Sequence, residues 1–360
     1  MYHSLTVAKG RFDYIDITKA LGMLTIIWGH IAVGKSVTFA YSFHIPLFFF
    51  LSGMVFVKGK YPTFGSFVKR RIQTLIVPYI IYSFITWAVW AAFSYATHAK
   101  VASYWMPLCE TFIAQGSEGY LVHNVPLWFV SCLFVVELAY YWIAKLPNVW
   151  NVVACMVMAI VGYVIVNDCS FFDFTTLPWS IEVAMSAILF YSSGHLLVKN
   201  VGHQQITHMI DSKKTGSTLL FLCLLVLAYL GAITNGKVSM GHAILRNPFL
   251  FYPTAYLGVG AMLLFSLLLA QSKLNEKKWM GGVKWFGQNS FIPMVIHNPI
   301  KGFVVVAVSS CLGVQVKEAK QDFLMSVIAF ATTLLVTVVL MYIIVKVKAQ
   351  LKKKHEYSNI

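Results

Sequence analysis

Ten apolar segments, each long enough for a membrane-spanning helix, dominate the sequence. A helix crosses the hydrocarbon core with about twenty apolar residues, and these unbroken segments are too long for the strands of a membrane barrel. Hydrophobic residues make up 58% of the 360 positions and charged residues only 11%, too few charges to cover a soluble domain. The sequence therefore predicts an all-α integral membrane protein of about ten transmembrane helices. The segments lie at roughly 14–34, 39–57, 75–95, 126–144, 150–167, 178–198, 217–234, 248–270, 286–309 and 323–346.

The lysines and arginines between these segments predict the orientation. If the N-terminus faces the cytoplasm and ten helices alternate, the cytoplasmic loops carry roughly three times as many basic residues as the outer loops, as the positive-inside rule requires. Both termini are then cytoplasmic. The outer side receives Lys35, Lys100, Lys237, Arg246, Lys317 and Lys320, whereas the cytoplasmic side collects the basic residues near 9–11, 58–71, 145, 199–214, 273–284 and 346–354.

The net charge of +15 does not indicate a nucleic-acid partner, because the basic residues flank apolar segments and do not line one helical face. The histidines lack the spacing of a helical zinc motif, so no metal is expected. No long hydrophilic segment remains between the helices. We expect one transmembrane domain over residues 1–360 without a soluble extracytoplasmic domain, and the largest outer loop, about 97–125, is placed to cap a site.

The first apolar segment contains three ionisable residues, Asp16, Lys19 and His30. Lys19 and His30 are eleven positions apart, so they share one face of a helix and are separated by ~16 Å along its axis. Asp16 lies one turn before Lys19 and is placed to pair with it. Ionisable groups within the bilayer are costly and usually functional, so we predict a catalytic role for this polar stripe. A structural interpretation, an anchoring ion pair with a hydrogen-bonded core histidine, suits each residue taken singly.

Three further ionisable residues are predicted near the depth of His30. They are His44 in the second segment, Glu182 in the sixth and His297 in the ninth, where Lys301 follows one turn later. We expect them to bind substrate, although an interfacial histidine and a loop-paired carboxylate explain His44 and Glu182 equally well. Pro299 frees backbone carbonyls near His297, so a structural hydrogen bond is also open there.

Lys69, Arg70 and Arg71 precede the third apolar segment on the predicted cytoplasmic side. Arginine binds phosphate bidentately, which suits an anionic cofactor. Ordinary positive-inside anchoring is the simpler explanation when this cluster is considered alone.

The order of these elements resembles the membrane-bound acyltransferase family 3, which includes bacterial O-acetyltransferases of surface glycans. The family pattern of a basic residue, ten residues and a histidine matches Lys19 and His30, with lysine where many members have arginine. The opening segments look most similar to the fucose 4-O-acetylase-like subgroup, and the resemblance covers essentially the whole chain. The other matching motifs are FHIPLFFFLSG, KRRIQTLIVPY, PLWFVSCLFVVEL and NSFIPMVIHNPI.

The resemblance implies a multi-pass enzyme of the bacterial cytoplasmic membrane that moves an acyl group, most often acetyl, from acyl-CoA to a carbohydrate hydroxyl. His30 is then the catalytic histidine, Lys19 its basic partner, and Arg70 and Arg71 contacts for the CoA phosphates. The sequence is compatible with His30 as general base and with an acyl-histidine intermediate.

Two alternatives remain open. A secondary transporter or flippase would also carry intramembrane charges, although no pair of similar halves is visible in the sequence. Another multipass acyltransferase family would depend chiefly on His297 and Asn298.

Overall fold

The computed structural model describes residues 11–116, 119–168, 177–211, 214–313 and 321–358. Within these ranges the chain is helical and contains no β-strand, only one isolated bridge between Ser239 and Ile244. Of the basic residues that predict the orientation, Lys9, Lys213, Lys317 and Lys320 lie outside the described residues. The prediction of an all-α membrane protein is confirmed.

The helices follow the apolar segments closely. In chain order they are α1 Asp13–Ile31, α2 Lys35–Met54, α3 Phe64–Ala96, α4 Met106–Ile113, α5 Trp128–Ile143, α6 Asn148–Asp168, α7 Ile181–Asn200, α8 His203–Asp211, α9 Lys214–Asn235, α10 Pro248–Ala270, α11 Lys278–Gln288, α12 Phe291–Leu312 and α13 Phe323–Ser358. Short 3-10 turns precede α5 at Val125–Leu127 and α7 at Pro178–Ser180.

Nine helices of the described chain are long and apolar enough to cross a membrane. Helix α1 is nineteen residues long but less apolar, because it carries Asp16, Lys19 and His30. It packs against α2, α10, α11, α12 and α13, so its polar side chains face protein and not lipid. Helix α1 corresponds to the first of the ten segments that the sequence predicts, and the other nine correspond to the nine apolar helices.

Three boundaries differ from the sequence prediction. Helix α3 begins at Phe64 and not near residue 75. Its first part is amphipathic and ends in Lys69, Arg70 and Arg71. A π turn at Ile72–Ile76 then joins this part to the apolar part without a break. The predicted segment 286–309 is divided between α11 and α12, which are separated at Asn289 and Ser290. Helix α13 continues beyond the predicted segment to Ser358, through the lysine-rich end of the sequence.

Glycines allow the central helices to approach one another closely. Gly22 and Gly29 lie two turns apart on α1, opposite Phe48 and Tyr41 on α2; a Cβ atom at Gly22 would lie 2.9 Å from the Phe48 ring and one at Gly29 3.0 Å from the Tyr41 ring. This spacing shows that α1 and α2 run antiparallel. The aromatic rings of α2 pack directly against the backbone of α1 at the two glycines. It fixes the distance between the helices that carry His30 and His44.

The crossing of α2 and α7 is tighter still. A Cβ atom at Gly53 would overlap the backbone carbonyl of Tyr191, and one at Gly194 would overlap the carbonyl of Phe50. Helices α2, α5 and α7 are the most buried of the spanning helices, whereas α9 is the least buried. The core of the bundle is therefore built around α1, α2, α5 and α7.

The start of α1 contacts other segments that the sequence assigns to the cytoplasmic side of the membrane. At the start of α1, Asp13 accepts hydrogen bonds from Lys284 at 2.9 Å and from Asn275 at 3.1 Å. Tyr14 is hydrogen-bonded to His203 of α8 at 2.7 Å. All of these residues belong to the predicted cytoplasmic side, so the contacts agree with the predicted alternation of the helices.

Candidate functional site

Three histidines from three helices converge in the interior of the bundle. The ring centroid of His30, near the end of α1, lies 5.3 Å from that of His297 in α12. Tyr41 of α2 lies 6.1 Å from His30 and 4.9 Å from His44. The structure thus brings His30 and His297 together directly and relates His44 to His30 through Tyr41. We call these three residues the histidine cluster.

Backbone carbonyls determine the tautomer of two of these histidines. The Nδ1 atom of His44 is 2.6 Å from the carbonyl oxygen of Ala40, and that of His297 is 2.8 Å from the carbonyl oxygen of Pro293. A carbonyl only accepts, so in the neutral rings each Nδ1 carries the proton and each Nε2 carries a lone pair. The Nε2 atom of His297 is buried and has no hydrogen-bond partner among the described residues. Its lone pair is therefore not used by any described residue.

His30 differs from its two neighbours because no hydrogen bond to a described residue fixes its ring. It is half-buried and forms one wall of a small apolar cavity between α1, α2, α5 and α12. Toward the predicted outer surface, the ammonium group of Lys237 lies 4.9 Å from the centre of the Tyr41 ring. Among the three rings of the cluster, that of His30 is the one that lines this cavity.

Pro299 explains part of this local structure. Proline has no N–H group, so the carbonyl of Val295 one turn earlier loses its helical donor. The side-chain amide of Asn124 fills this position at 2.6 Å. The outer loop before α5 is therefore attached to α12 two residues from His297.

The same outer loop is well packed, as expected for a cap. The carboxylate of Glu110 in α4 accepts from the backbone N–H of Leu121 at 3.1 Å, and Tyr79 donates to the carbonyl of Thr111 at 2.6 Å. Burial raises the pKa of Glu110 despite this hydrogen bond, which lowers it. Residues 117 and 118 of the predicted cap lie outside the described residues.

His123 in this loop was not singled out from the sequence. It is 3% exposed, and neither ring nitrogen has a hydrogen-bond partner among the described residues. Burial lowers the pKa of His123 to about 4, so the ring is neutral at physiological pH. The sequence offered little signal for it, because the residue lies between apolar segments.

Asp16 and Lys19 do not form the expected ion pair. The Asp16 carboxylate is 3% exposed and is bonded to Arg11 at 3.0 Å and to Gln288 of α11 at 3.1 Å. Both hydrogen bonds end on Oδ2 of the carboxylate. Lys19 is half-buried and has no hydrogen bond or ion pair with another described residue.

Glu182 has a hydrogen-bond partner of its own at the start of α7. Its side chain is buried at the start of α7 and accepts a hydrogen bond from the backbone N–H of Leu177 at 3.0 Å. The turn before α7 is thereby capped by its own carboxylate. This contact gives Glu182 a structural explanation that the sequence had left open.

Arg70 and Arg71 occupy different environments. Arg70 and Lys69 are exposed, but the Arg71 guanidinium turns inward, with Nε 2.8 Å from a carboxylate oxygen of Glu137. The same guanidinium lies 5.1 Å from the centre of the Phe67 ring. Glu137 is 4% exposed within α5 and also accepts from Tyr191 at 3.3 Å. A carboxylate inside an apolar segment is itself a sequence signal, and Glu137 is a buried acidic residue that the sequence prediction missed.

No group of three or more histidine, cysteine, aspartate or glutamate side chains among the described residues is arranged to hold a metal ion.

Comparison with known proteins places these features in a family. Residues 12–346 match the acyltransferase family 3 profile, described as an acyltransferase domain. Neither curated proteins nor solved structures gave a significant match. Because the profile covers nearly the whole chain, this protein belongs to acyltransferase family 3 and is a multi-pass membrane acyltransferase.

Proposed function

We propose that this protein is an O-acyltransferase of the bacterial cytoplasmic membrane that transfers an acyl group, preferentially acetyl, from cytoplasmic acyl-CoA to a hydroxyl of an extracytoplasmic or lipid-linked carbohydrate. The observation that carries the proposal is the convergence of His30, His44 and His297 from three helices. A neutral imidazole has a ring nitrogen with a lone pair, which is the group that a general base needs to accept a hydroxyl proton.

In the proposed reaction, His30 acts as general base. It takes the proton of the acceptor hydroxyl while the hydroxyl oxygen attacks the thioester carbonyl carbon. The new carbon–oxygen bond forms, the carbon–sulfur bond breaks, and the sulfur leaves with the proton held by His30. The products are an O-acyl ester and free CoA.

The other predicted residues take supporting roles in this proposal. The Nε2 atoms of His44 and His297 accept hydrogen bonds from hydroxyl groups of the acceptor. Glu182, at the outer end of α7, also binds the acceptor. Lys19, which lacks a described ion-pair partner, is available to a donor thioester approaching from the cytoplasmic side, while Asp16 holds α1 against α11. Exposed Lys69 and Arg70 bind the CoA phosphates. Arg71, the next residue in the chain, adds its positive charge beside them.

The test is CoA release from acetyl-CoA by purified protein in lipid nanodiscs. We expect His30→Ala to lower turnover ~100-fold or more, the usual contribution of a general base, while acetyl-CoA binding is retained. His208→Ala serves as the matched control, because His208 is exposed on α8. Turnover that survives His30→Ala contradicts the role of His30. If the wild-type protein neither binds nor cleaves any acyl-CoA, the enzyme proposal fails. A secondary transporter or flippase is then the next function to test.

A further inference from the structure

A small cavity adjoins His30 on the side facing α5. Its volume is about 30 Å³. One wall is the His30 ring itself, and the remaining walls are almost entirely apolar. They include Ile26, Ile45, Phe48, Phe129 and Met294.

The cavity has room for a small group only. Measured in this way, a single water molecule needs about 10–15 Å³, so 30 Å³ accommodates about two or three non-hydrogen atoms. An acetyl group has about three such atoms beyond the sulfur of its thioester. Each additional methylene would require the walls to move, and packed interiors resist such movement.

The walls of the cavity are held in place by the packing of α1 and α2. The Phe48 ring lies on the bare backbone of Gly22, so the ring cannot retreat toward α1. Ile26 lies one turn before His30 on the same face of α1. Phe129 is 8% exposed and Met294 is 8% exposed, so both belong to the packed core. The size of the cavity is therefore a property of the scaffold.

We propose that this cavity is the acyl pocket of the enzyme and that Ile26, Phe48 and Phe129 restrict the donor to acetyl-CoA among the straight-chain acyl-CoAs. This inference rests on the proposed function and names the residues that determine its donor specificity. The apolar walls bury the methyl group of the acyl chain, while the adjoining His30 ring lies within reach of the carbonyl carbon under attack.

The experiment compares kcat/KM for acetyl-CoA and butyryl-CoA, measured as CoA release by protein in nanodiscs. For the wild-type protein we expect acetyl-CoA to be preferred by ~10-fold or more, the usual discrimination for extra methylenes in a fixed apolar pocket. Ile26→Ala removes a wall and is expected to shift the ratio ~10-fold toward butyryl-CoA. Phe129→Ala opens the cavity from α5 and is expected to shift the ratio in the same direction.

Ile27→Ala is the matched control, since Ile27 is a fully buried neighbour on α1 outside the cavity lining. We expect it to reduce stability but to leave the ratio unchanged. The ratio compares two substrates on the same folded molecules, so partial unfolding of a variant does not affect it.

The outcomes separate the two proposals. Turnover of acetyl-CoA and butyryl-CoA at equal efficiency, or an unchanged ratio in both Ile26→Ala and Phe129→Ala, overturns the acyl-pocket inference and leaves the proposed function standing. Absence of turnover with every acyl-CoA overturns the proposed function and this inference with it.

Discussion

Arg70 and Arg71 are neighbours in sequence but face different surroundings. Arg70 is exposed, whereas Arg71 is paired with the buried Glu137. Removing one partner of a buried ion pair leaves an uncompensated charge, which typically costs 3–5 kcal/mol. The two arginines of the basic segment are therefore expected to differ in what their loss does to the protein.

We predict that Arg71→Ala destabilises the protein by ~3–5 kcal/mol, seen as a lower melting temperature in detergent, and that adding Glu137→Gln recovers part of the loss. Arg70→Ala is the matched variant and is expected to leave the melting temperature unchanged while weakening CoA binding. Equal melting temperatures for the two single variants would show that the Arg71–Glu137 contact contributes nothing to stability.

At the scale of helices, close backbone contact decides how the core assembles. Helices α2 and α7 cross where Gly53 meets the backbone of Tyr191 and Gly194 meets that of Phe50. Without side chains at these two positions, van der Waals contact between backbones replaces side-chain packing, as small residues permit in membrane bundles. Any added carbon must push the helices apart.

We predict that Gly53→Ala destabilises the bundle by ~1–3 kcal/mol through overpacking. Gly302→Ala is the matched control, because nothing lies within 4 Å of a Cβ atom built at that helical position. Alanine there is expected to raise stability by ~0.5–1 kcal/mol, since glycine loses more backbone entropy on folding. Melting temperatures of the two variants, measured side by side, should move in opposite directions.

At the scale of the whole molecule, the alternation of ten helices relates the charged loops to the two faces of the membrane. Asp13, Asn275 and Lys284 meet at one end of the bundle, and all three belong to loops or helix ends that the sequence assigns to the cytoplasm. The placement of that end in the cytoplasm stays a prediction from the lysine and arginine bias.

Single cysteines in a cysteine-free background can test the orientation. We predict that Lys35→Cys and Lys100→Cys react with a membrane-impermeant maleimide in intact bacterial cells, whereas Lys199→Cys and Lys278→Cys react only after permeabilisation. All four lysines are exposed, so access depends on the membrane alone. Labelling of Lys199→Cys in intact cells would show that the predicted orientation of the protein in the membrane is wrong.

The sequence by itself determined the membrane class and most of the limits of the nine apolar helices. Backbone groups in lipid must bond within their own helix, so a long apolar segment leaves few alternatives. The same reasoning marked His30, His44 and His297 as costly and therefore informative. Helix α3 begins with an amphipathic part at Phe64. The length of the apolar segment alone therefore placed the start of this helix too late in the sequence.

Only the tertiary structure decided which polar groups meet. Helical periodicity assigns residues to a face of one helix but does not say which helix lies opposite. For that reason Asp16 was expected to pair with Lys19 on its own helix, whereas it is bonded to Gln288 of α11. The pairing of Arg71 with Glu137 and the 5.3 Å between His30 and His297 likewise arise from helix packing. The same packing, through the close approach of α1 and α2 at Gly22, also determines the size of the cavity beside His30.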